Sequence, residues 1–438
     1  MEIGTLIHFL PVAVFAVVYL VISFELLNKA VTALLGVMVL LILGIITEHE
    51  AVSFIDFETI MLLMGMMCIV AILKKSGFFA ILTVRVAKLT KGNPLKIMIL
   101  FSAVTAFISA FLDNVTTVLI MVPIVIELAK GMGLNPRIYV IAQAVVSNIG
   151  GTATLIGDPP NIIIGSKVGL TFNEFALYLT FPVVVSFAAV MGWFWLTNRE
   201  MFKPIDTNLA KLFSVRFLIE KIEFDFLSMK IDRTFLTKSL VCLLIAISLF
   251  ITQRVTGITP GVVAITVAMI LLAITKTDVE HIMLEVEWTT LLFFSGLFIL
   301  VGTLEEKGFI EWMARNIFLK AGDNPYVLVL LVLWVSGIAS GFIDNIPFTI
   351  TMIPIVKIML EANPIPHNIL WWALSLGACF GGNLTLIGAS ANIVSAAMAK
   401  RNGCEITFFE FCKYSTMPTV ISLVISSLVL TLYLWMAL

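Results

Sequence analysis

Long apolar segments alternate with short polar ones along the whole chain. An α-helix needs about 20 apolar residues to cross a lipid bilayer. Eight uninterrupted segments come close to that length or exceed it: 6–28, 30–47, 58–73, 176–197, 235–253, 257–275, 288–304 and 414–436. Two further apolar stretches, 95–170 and 326–401, are interrupted by Asp, Asn, Gly and Pro residues. The pattern predicts an all-α polytopic membrane protein in which some helices are broken.

The composition agrees with a membrane protein and argues against several other classes. Apolar side chains make up 60% of the chain and charged ones 13%, whereas soluble domains carry about 45–50% and about 25%. The net charge of −1 gives nucleic acid no electrostatic reason to bind. The five cysteines show neither disulfide nor metal-ligand spacing, and no Ser/His or Cys/His combination indicates an enzyme. The sequence therefore predicts no catalytic site, no resident metal and no cofactor.

One long polar segment, 198–234, divides the chain into two halves. If each half has five crossings and one re-entrant hairpin, 21 of the 27 basic residues fall on one side of the membrane and six on the other. Cytoplasmic loops retain an excess of Lys and Arg. We therefore expect a cytoplasmic linker, both termini outside the cytoplasm, and a location in the plasma or inner membrane. A soluble ATPase docked on the linker and a homodimer are both compatible with the sequence.

The two halves repeat each other at one constant offset, without a gap. FLDNVTTVLIMVPIV at 111–125 recurs as FIDNIPFTITMIPIV at 342–356, SNIGGTATLIGDPPNI at 147–162 recurs as ACFGGNLTLIGASANI at 378–393, and Gly65 recurs as Gly296. An odd number of crossings per half inverts the second half, and inverted repeats with broken helices are typical of secondary transporters. The predicted units are a first repeat 1–197 with re-entrant hairpin 95–131 and broken helix 137–170, and a second repeat 235–438 with re-entrant hairpin 326–361 and broken helix 367–401.

The sequence leaves two depths open for the Asp113-Asn114 pair. Two full spans joined there would put the pair at the far membrane surface, and segments of about 17 residues on each side allow this on length alone. A re-entrant hairpin would put Asp113 near the middle of the bilayer. The parity of the repeat and the distribution of basic residues favour the hairpin.

The interrupted segments predict a polar site between the two halves. Unwound backbone inside a membrane is tolerated only where it lines a cavity or is buried in protein. Helix N-termini expected near Asn114, Pro159, Asn345 and Ala391 would all face one central volume. The predicted substrate and ion site consists of Asp113, Asn114, Thr116, Asn148, Gly150, Gly151, Thr152, Asp158, Asn161, Asp344, Asn345, Cys379, Gly381, Gly382, Asn383 and Asn392. Carbonyl groups freed at the helix breaks suit Na⁺, which we place at two positions: Asp113, Asn114 and Gly150, and Asp344, Asn345 and Gly381.

Three aspartates stand in the interrupted segments. An ionisable group at the centre of a bilayer costs at least about 2.5–3.5 kcal/mol and indicates a functional residue, so Asp113, Asp158 and Asp344 are predicted to exchange protons during transport. The alternative is that each only caps the helix that follows. That alternative weighs most for Asp158, whose equivalent in the second half is Ala389. Cys379 either meets substrate or, as the sequence favours, fills the core as a small apolar side chain.

With these motifs the chain resembles the ArsB/NhaD permease family of the ion transporter superfamily, which has arsenite permease-like and P protein-like members. The resemblance rests on four segments: 111–130, 147–166, 342–356 and 381–393. It implies that the hairpin tips and unwound loops form the substrate and coupling-ion site, with one set from each half.

Related dicarboxylate carriers have a Ser-Asn-Thr signature at the hairpin tips, from which this chain departs. In the first half Asn114 and Thr116 match, while Asp113 stands in place of Ser. In the second half Asn345 matches, while Asp344 replaces Ser and Pro347 replaces Thr. The two carboxylates disfavour a dianion and favour a neutral or cationic solute, or protons and Na⁺ as coupling ions.

Arsenous acid is neutral near neutral pH and rich in hydroxyl groups, so it suits such a site. The motifs and the resemblance together predict a secondary transporter that exports arsenite, and antimonite, in exchange for protons. A Na⁺/H⁺ antiporter is the next alternative, followed by a carrier for a small organic or inorganic anion. A channel that conducts through the same pathway is the alternative from another class.

Overall fold

The computed structural model describes residues 3–23, 26–202, 232–318, 320 and 322–438. All regular secondary structure within these ranges is helical. The predicted linker 198–234 lies mostly outside the described residues, so its cytoplasmic position and the docking of an ATPase on it stay predictions.

Ten helices form the first half of the described chain. They are α1 (Ile3–Ser23), α2 (Lys29–Ile42), α3 (Glu48–Phe54), α4 (Phe57–Lys75), α5 (Phe78–Thr90), α6 (Pro94–Ser109), α7 (Asn114–Gly131), α8 (Pro136–Gly151), α9 (Pro159–Val168) and α10 (Phe172–Thr197).

Ten corresponding helices form the second half. They are α11 (Arg233–Ile251), α12 (Pro260–Thr275), α13 (Val279–Glu285), α14 (Trp288–Glu306), α15 (Phe309–Met313), α16 (Pro325–Phe342), α17 (Asn345–Ala362), α18 (Ile369–Gly381), α19 (Ser390–Arg401) and α20 (Phe408–Ala437). A short helical turn, Gln253–Thr256, follows α11, a π-helical segment, Ala314–Phe318, extends α15, and a 3-10 turn, Pro366–Asn368, precedes α18.

The start positions of the helices repeat at the same offset as the sequence motifs. The starts of the second-half helices α12, α13, α14, α15, α16, α17 and α19 follow those of α2, α3, α4, α5, α6, α7 and α9 at the constant offset of the sequence repeat. Asparagine followed by proline sets two of these starts, those of α6 and α16. The Asn93 side chain caps α6 at the Lys96 N–H, and the Asn324 side chain caps α16 at the Tyr326 N–H. Proline fits the first helical position, where its missing N–H would have no partner within the helix.

The described helices confirm the all-α membrane fold. Eight of them are long and apolar enough to cross a bilayer (α4, α7, α10, α11, α14, α16, α17 and α20), and α2, α6 and α12 are shorter apolar helices. The sequence did not predict the short helices α3, α5, α13 and α15, because they are too short or too polar to appear in a search for apolar spans. The inverted orientation of the halves and the depth of the hairpins in the bilayer stay predictions.

The two halves pack on each other through reciprocal contacts. Helix α4 packs on α12, and its equivalent α14 packs on α2. Likewise α7 packs on α19, and its equivalent α17 packs on α9. Contacts of this kind are those of two similar units related by a pseudo-two-fold axis.

The repeated glycines Gly65 and Gly296 lie at close contacts between these helices. A Cβ on Gly65 would come within 2.5 Å of the Ala264 backbone in α12, and one on Gly296 would come within 2.9 Å of the Ala33 Cβ in α2. Small residues at crossing points let membrane helices approach closely. The packing of one half on the other therefore explains why this glycine is repeated.

Candidate functional site

The tip of the first hairpin is the turn between α6 and α7. Asp113 precedes α7, and its carboxylate accepts a hydrogen bond from the Thr116 N–H at 2.9 Å. The next side chain, Asn114, is buried against the Ser109 hydroxyl and lies 3.3 Å from the amide of Asn148 on α8. The hairpin tip is thus held to the broken helix beside it.

The tip of the second hairpin has the same arrangement of a capping aspartate followed by an asparagine. Asp344 precedes α17, and its carboxylate accepts a hydrogen bond from the Ile346 N–H at 3.2 Å. The Asn345 N–H donates to the Gly388 carbonyl at 3.3 Å, in the unwound loop between α18 and α19. Both aspartates therefore cap helices in addition to any role in binding.

The expectation that capping weighs most for Asp158 is wrong. Asp158 stands at the N-cap position of α9, but in the described structure its side chain makes no capping hydrogen bond. The reason is local, because Pro159 and Pro160 occupy the first two helical positions and have no N–H to donate. The Asp158 carboxyl is instead 1% exposed at a cavity wall, close enough to both Asp113 and Asp344 to interact with them electrostatically.

The unwound loops of the broken helices are closed by equivalent asparagines. The Asn161 amide donates to the carbonyls of Thr152 and Thr154 at 3.0 and 2.9 Å. Its counterpart Asn392 donates to the carbonyls of Gly382 and Thr385 at 2.8 and 3.0 Å. Each amide satisfies carbonyls that the helix break leaves without intrahelical partners.

Buried amides also join the two halves directly. The Asn148 amide donates to the side-chain oxygens of Asn383 and Asn392 at 2.8 and 3.0 Å. The Asn161 side-chain oxygen accepts from the Ser375 hydroxyl at 2.5 Å and from the Cys379 thiol at 3.7 Å. Because buried polar groups without partners are costly, this network fixes the halves against each other.

Two glycines let the broken helices lie against the hairpins. A Cβ on Gly150 would come within 2.2 Å of the Ala106 carbonyl oxygen, and one on Gly381 within 2.2 Å of the equivalent Gly337 carbonyl oxygen. Both clashes are with backbone, so a helix would have to move to relieve them. Gly150 and Gly381 thus set the distance between each broken helix and its neighbouring hairpin.

We expect Gly150→Ala to lower the free energy of unfolding by about 1–3 kcal/mol, the usual cost of overpacking. Gly192→Ala in α10 is the matched control, because a Cβ there would meet nothing within 4 Å. Alanine is also the better helix former, so the control should be neutral or slightly stabilising. Thermal unfolding of both purified variants in detergent measures the difference, and equal stabilities would contradict the packing role.

A cavity of about 340 Å³ lies where the hairpin tips and broken helices meet. Five of the predicted site residues line it: Asp113, Asn114, Asn148, Asp158 and Asn345. Polar side chains of other elements complete the wall, namely Asn28, Lys29, Glu287, Thr289, Thr290 and Ser390. Leu63, Met67 and Phe293 give it an apolar side.

The other predicted residues are placed beside the cavity rather than along its wall. Thr116 lines a neighbouring cavity, and the Asp344 carboxylate forms an ion pair with Lys29. The remaining predicted residues belong to the buried network and close-packed backbone behind the wall: Gly150, Gly151, Thr152, Asn161, Cys379, Gly381, Gly382, Asn383 and Asn392. Cys379 is fully buried, as expected of a core side chain.

Sequence reasoning missed two charged residues of the cavity, Lys29 and Glu287. By position along the chain, Lys29 belongs with the loop lysines that set the orientation. In the structure its ammonium group pairs with Asp344 and also lies 3.4 Å from the Ser390 hydroxyl at the start of α19. The repeat could have indicated Glu287, because Asp56 is the equivalent acidic residue in the first half. Glu287 immediately precedes α14, and Asp56 immediately precedes the equivalent helix α4.

A second cavity lies between this site and one surface of the protein. Its volume is about 110 Å³, it shares Asp113, Pro159 and Glu287 with the central cavity, and it reaches Lys74 and Glu285. These last two side chains form an exposed ion pair of 2.8 Å, in which the hydrogen bond from Lys74 holds the pKa of Glu285 below its usual value. The second cavity therefore extends from the wall of the central cavity to the surface that carries Lys74.

A third cavity, of about 260 Å³, is the counterpart of the second one in the other half. Its lining residues Val301, Glu305 and Ile350 are the repeat equivalents of Val70, Lys74 and Leu119, which line the second cavity. Among the described residues, none that lines the third cavity also lines the central one. The central cavity thus shares lining residues with one of two equivalent vestibules and, among the described residues, shares none with the other.

Comparison with known proteins agrees with this architecture. The chain is 38% identical to an uncharacterized transporter of Mycobacterium tuberculosis over 431 residues, which covers 97% of both chains. It is also 38% identical to a 46 kDa membrane protein of Mycobacterium leprae over 440 residues, covering 98% of both. The human P protein is 34% identical over 486 residues, covering 94% of this chain and 58% of the P protein.

Among solved structures, the YdaH transporter of Alcanivorax borkumensis, described as having an unusual topology, has a similar fold. Its TM-score is 0.54 with 11% identity, and the match covers 89% of this chain and 87% of that one. A family model described as "Citrate transporter" matches residues 19–377 of the chain. The chain therefore belongs to the citrate transporter family and is a multi-pass membrane transporter rather than an enzyme.

Proposed function

We propose that this chain is a secondary active transporter that moves a small neutral or cationic solute in exchange for protons, with arsenite and antimonite as its substrates. In this respect it would act as an ArsB/NhaD permease. The observation that carries the proposal is the surplus of acidic groups around the central cavity. Among the described residues that line it, Asp113, Asp158 and Glu287 are acidic and Lys29, which is paired with Asp344, is basic.

The acidic surplus weighs against citrate as the substrate. Citrate carries several negative charges near neutral pH, and two like charges about 4 Å apart repel by about 4 kcal/mol near a protein surface. A single lysine that already contacts a carboxylate compensates for little of this repulsion. A solute without negative charge avoids the cost.

The uncharged polar groups of the cavity suit a small hydroxylated solute. Asn114, Asn148 and Asn345 supply amides, and Thr289, Thr290 and Ser390 supply hydroxyl groups. Amides and hydroxyls both donate and accept hydrogen bonds, as does arsenous acid. Asp113 and Asp158, which both line the cavity, can share the one proton that is exchanged for it.

A Na⁺/H⁺ antiporter is the second candidate, and the same carboxylates favour it. Unwound backbone near the cavity adds carbonyl oxygens, and hard cations such as Na⁺ bind oxygen ligands. Na⁺ would then replace the solute as the transported species or replace the proton as the coupling ion. Of the two Na⁺ positions predicted from the sequence, the one at Asp113, Asn114 and Gly150 belongs to this proposal. The one at Asp344, Asn345 and Gly381 already has the Lys29 ammonium group beside its carboxylate.

The open vestibule favours an inward-facing state. It ends at Lys74, which the distribution of basic residues puts on the cytoplasmic side, in the plasma or inner membrane. Transport would then require the central cavity to close towards Lys74 and to open towards the third cavity, near Lys167 and Lys357. Export of solute against inward movement of protons fits this orientation.

Flux into proteoliposomes containing the purified protein tests the proposal with a panel of arsenite, Na⁺ and citrate under an imposed pH gradient. We expect arsenite flux that saturates and that disappears when a protonophore collapses the gradient. Na⁺ flux with inert arsenite would select the antiporter. Citrate flux with arsenite and Na⁺ both inert would contradict the account of the cavity, and currents proportional to voltage would indicate a channel.

A further inference from the structure

The two hairpin tips carry equivalent aspartates in unequal surroundings. Asp113 and Asp344 are equivalent positions of the repeat, and each precedes the second helix of its hairpin. Asp344 forms an ion pair with Lys29, at the start of α2. The residue equivalent to Lys29 in the second half is Pro260, which begins α12 and has no charge to offer Asp113. The titratable groups facing Asp113 are two further acids, Glu287 and Asp158.

Lys29 is held in place by several groups at the wall of the central cavity. The Asn28 side chain caps α2 by accepting a hydrogen bond from the Ala30 N–H at 3.0 Å, which fixes the helix start. The Lys29 ammonium lies 3.4 Å from the Ser390 hydroxyl and 6.0 Å from the centre of the Phe293 ring. The Lys29 side chain is 28% exposed, whereas that of Asp344 is 5% exposed. A buried carboxylate thus meets a cation that remains in contact with the cavity.

The other titratable groups facing Asp344 do not supply a compensating positive charge. Tyr19 of α1 and Asp158 of the unwound loop both interact with Asp344 electrostatically. Tyr19 is a neutral phenol and Asp158 is a second carboxyl group. In this part of the described structure, Lys29 therefore compensates the negative charge of Asp344. A buried carboxylate that loses such a partner must bind another cation or a proton.

We infer that Lys29 is a built-in cation that takes the place of a coupling ion at the second hairpin tip. The transporter then has one exchangeable cation site, at Asp113, instead of two equivalent ones. The inference rests on the proposed coupling to protons or Na⁺ and deepens it by fixing how many coupling ions the hairpins exchange. A tethered ammonium is always near its carboxylate, so a dissolved cation competes with it poorly.

The test measures arsenite flux in proteoliposomes as a function of proton concentration and, in a second series, of Na⁺ concentration. Wild type should give a Hill coefficient of about 1, and Lys29→Met should raise it to about 2 because the second hairpin becomes a cation site. Lys29→Arg keeps the charge and should retain the wild-type value. The double variant Lys29→Met/Asp344→Asn removes the new site and should return the coefficient to about 1. Lys96→Met, at an exposed lysine of α6, is the control for loss of a positive charge.

Three outcomes would overturn the inference. A Hill coefficient near 2 in wild type would show two exchangeable cations while leaving the proposed function intact. An unchanged coefficient in Lys29→Met would show that no second site opens. Loss of flux in both Lys29→Met and the double variant, with normal elution of both proteins in size-exclusion chromatography, would show that transport needs Lys29 itself and not merely a cation beside Asp344. Wild-type flux that is independent of both H⁺ and Na⁺ would instead contradict the proposed coupling itself.

Discussion

Replacement of Asp113 by asparagine is expected to abolish cation-coupled transport while leaving the protein folded. Asp113 lines both the central cavity and the vestibule, so its carboxylate is accessible to a proton or Na⁺ on the open side. Loss of a group that transfers a proton typically lowers a rate by at least about a hundredfold. The asparagine side-chain oxygen can still accept the hydrogen bond from the Thr116 N–H, so the cap of α7 is preserved.

Flux in proteoliposomes measures this effect, with thermal unfolding in detergent as the test of folding. Glu127→Gln is the matched control, because Glu127 lies on the same helix and is exposed far from the hairpin tip. The control should transport at the wild-type rate. Wild-type coupled flux in Asp113→Asn would remove this carboxylate from the mechanism.

Asn148→Ala is expected to have the largest effect on stability. The substitution removes the amide that donates to both Asn383 and Asn392, and it leaves their buried side-chain oxygens with one partner fewer each. An unsatisfied buried polar group costs about 1–3 kcal/mol, so two of them should lower the free energy of unfolding by about 2–6 kcal/mol. Transport should fall as well, since Asn148 also lines the central cavity.

Thermal or denaturant unfolding of the purified variant checks this expectation. Asn402→Ala, an exposed asparagine beyond the end of α19, removes the same amide without breaking contacts between the halves. That variant should unfold close to the wild-type midpoint. If Asn148→Ala and Asn402→Ala unfolded alike, the buried amides would not be what joins the halves.

The helix breaks were predictable from sequence because their signals are local. Asp-Asn and Asp-Pro-Pro mark starts at Asn114 and Pro159, and the structure begins helices at both. The second-half start expected near Ala391 is at Ser390. The first half of the broken helix ends at Gly151, so Gly150 and Gly151 both lie inside it. Gly150 allows this helix to approach α6 closely.

The sequence does not show which of the predicted site residues line the cavity and which satisfy backbone groups. An asparagine in a helix break can face a ligand or satisfy backbone, and its sequence context is the same in both cases. Asn161 and Asn392 satisfy carbonyls of the unwound loops, whereas Asn114 and Asn345 reach the cavity. Tertiary packing decides between these roles.

The Lys29–Asp344 ion pair is the clearest example of a feature beyond local sequence. Its members are 315 residues apart, and a lysine beside an apolar span usually reaches for the membrane interface. The reciprocal packing of α14 on α2 brings the start of α2 to the second hairpin tip. The distribution of basic residues along the chain therefore assigns Lys29 to a loop. Its position at the cavity follows only from the tertiary structure.

The central claim is that the cavity at the two hairpin tips is the transport site, and chemical labelling at Val115 tests it most directly. Val115 lines the cavity beside Asp113. In a variant whose partly exposed Cys412 is replaced by serine, Val115→Cys should react with a membrane-impermeant thiol reagent added from the open side. A Lys96→Cys variant, outside the cavity, reports reaction at an exposed position. Saturating transported solute should slow the reaction at Val115→Cys severalfold and leave Lys96→Cys unchanged, whereas equal rates at Val115→Cys with and without that solute would contradict the account.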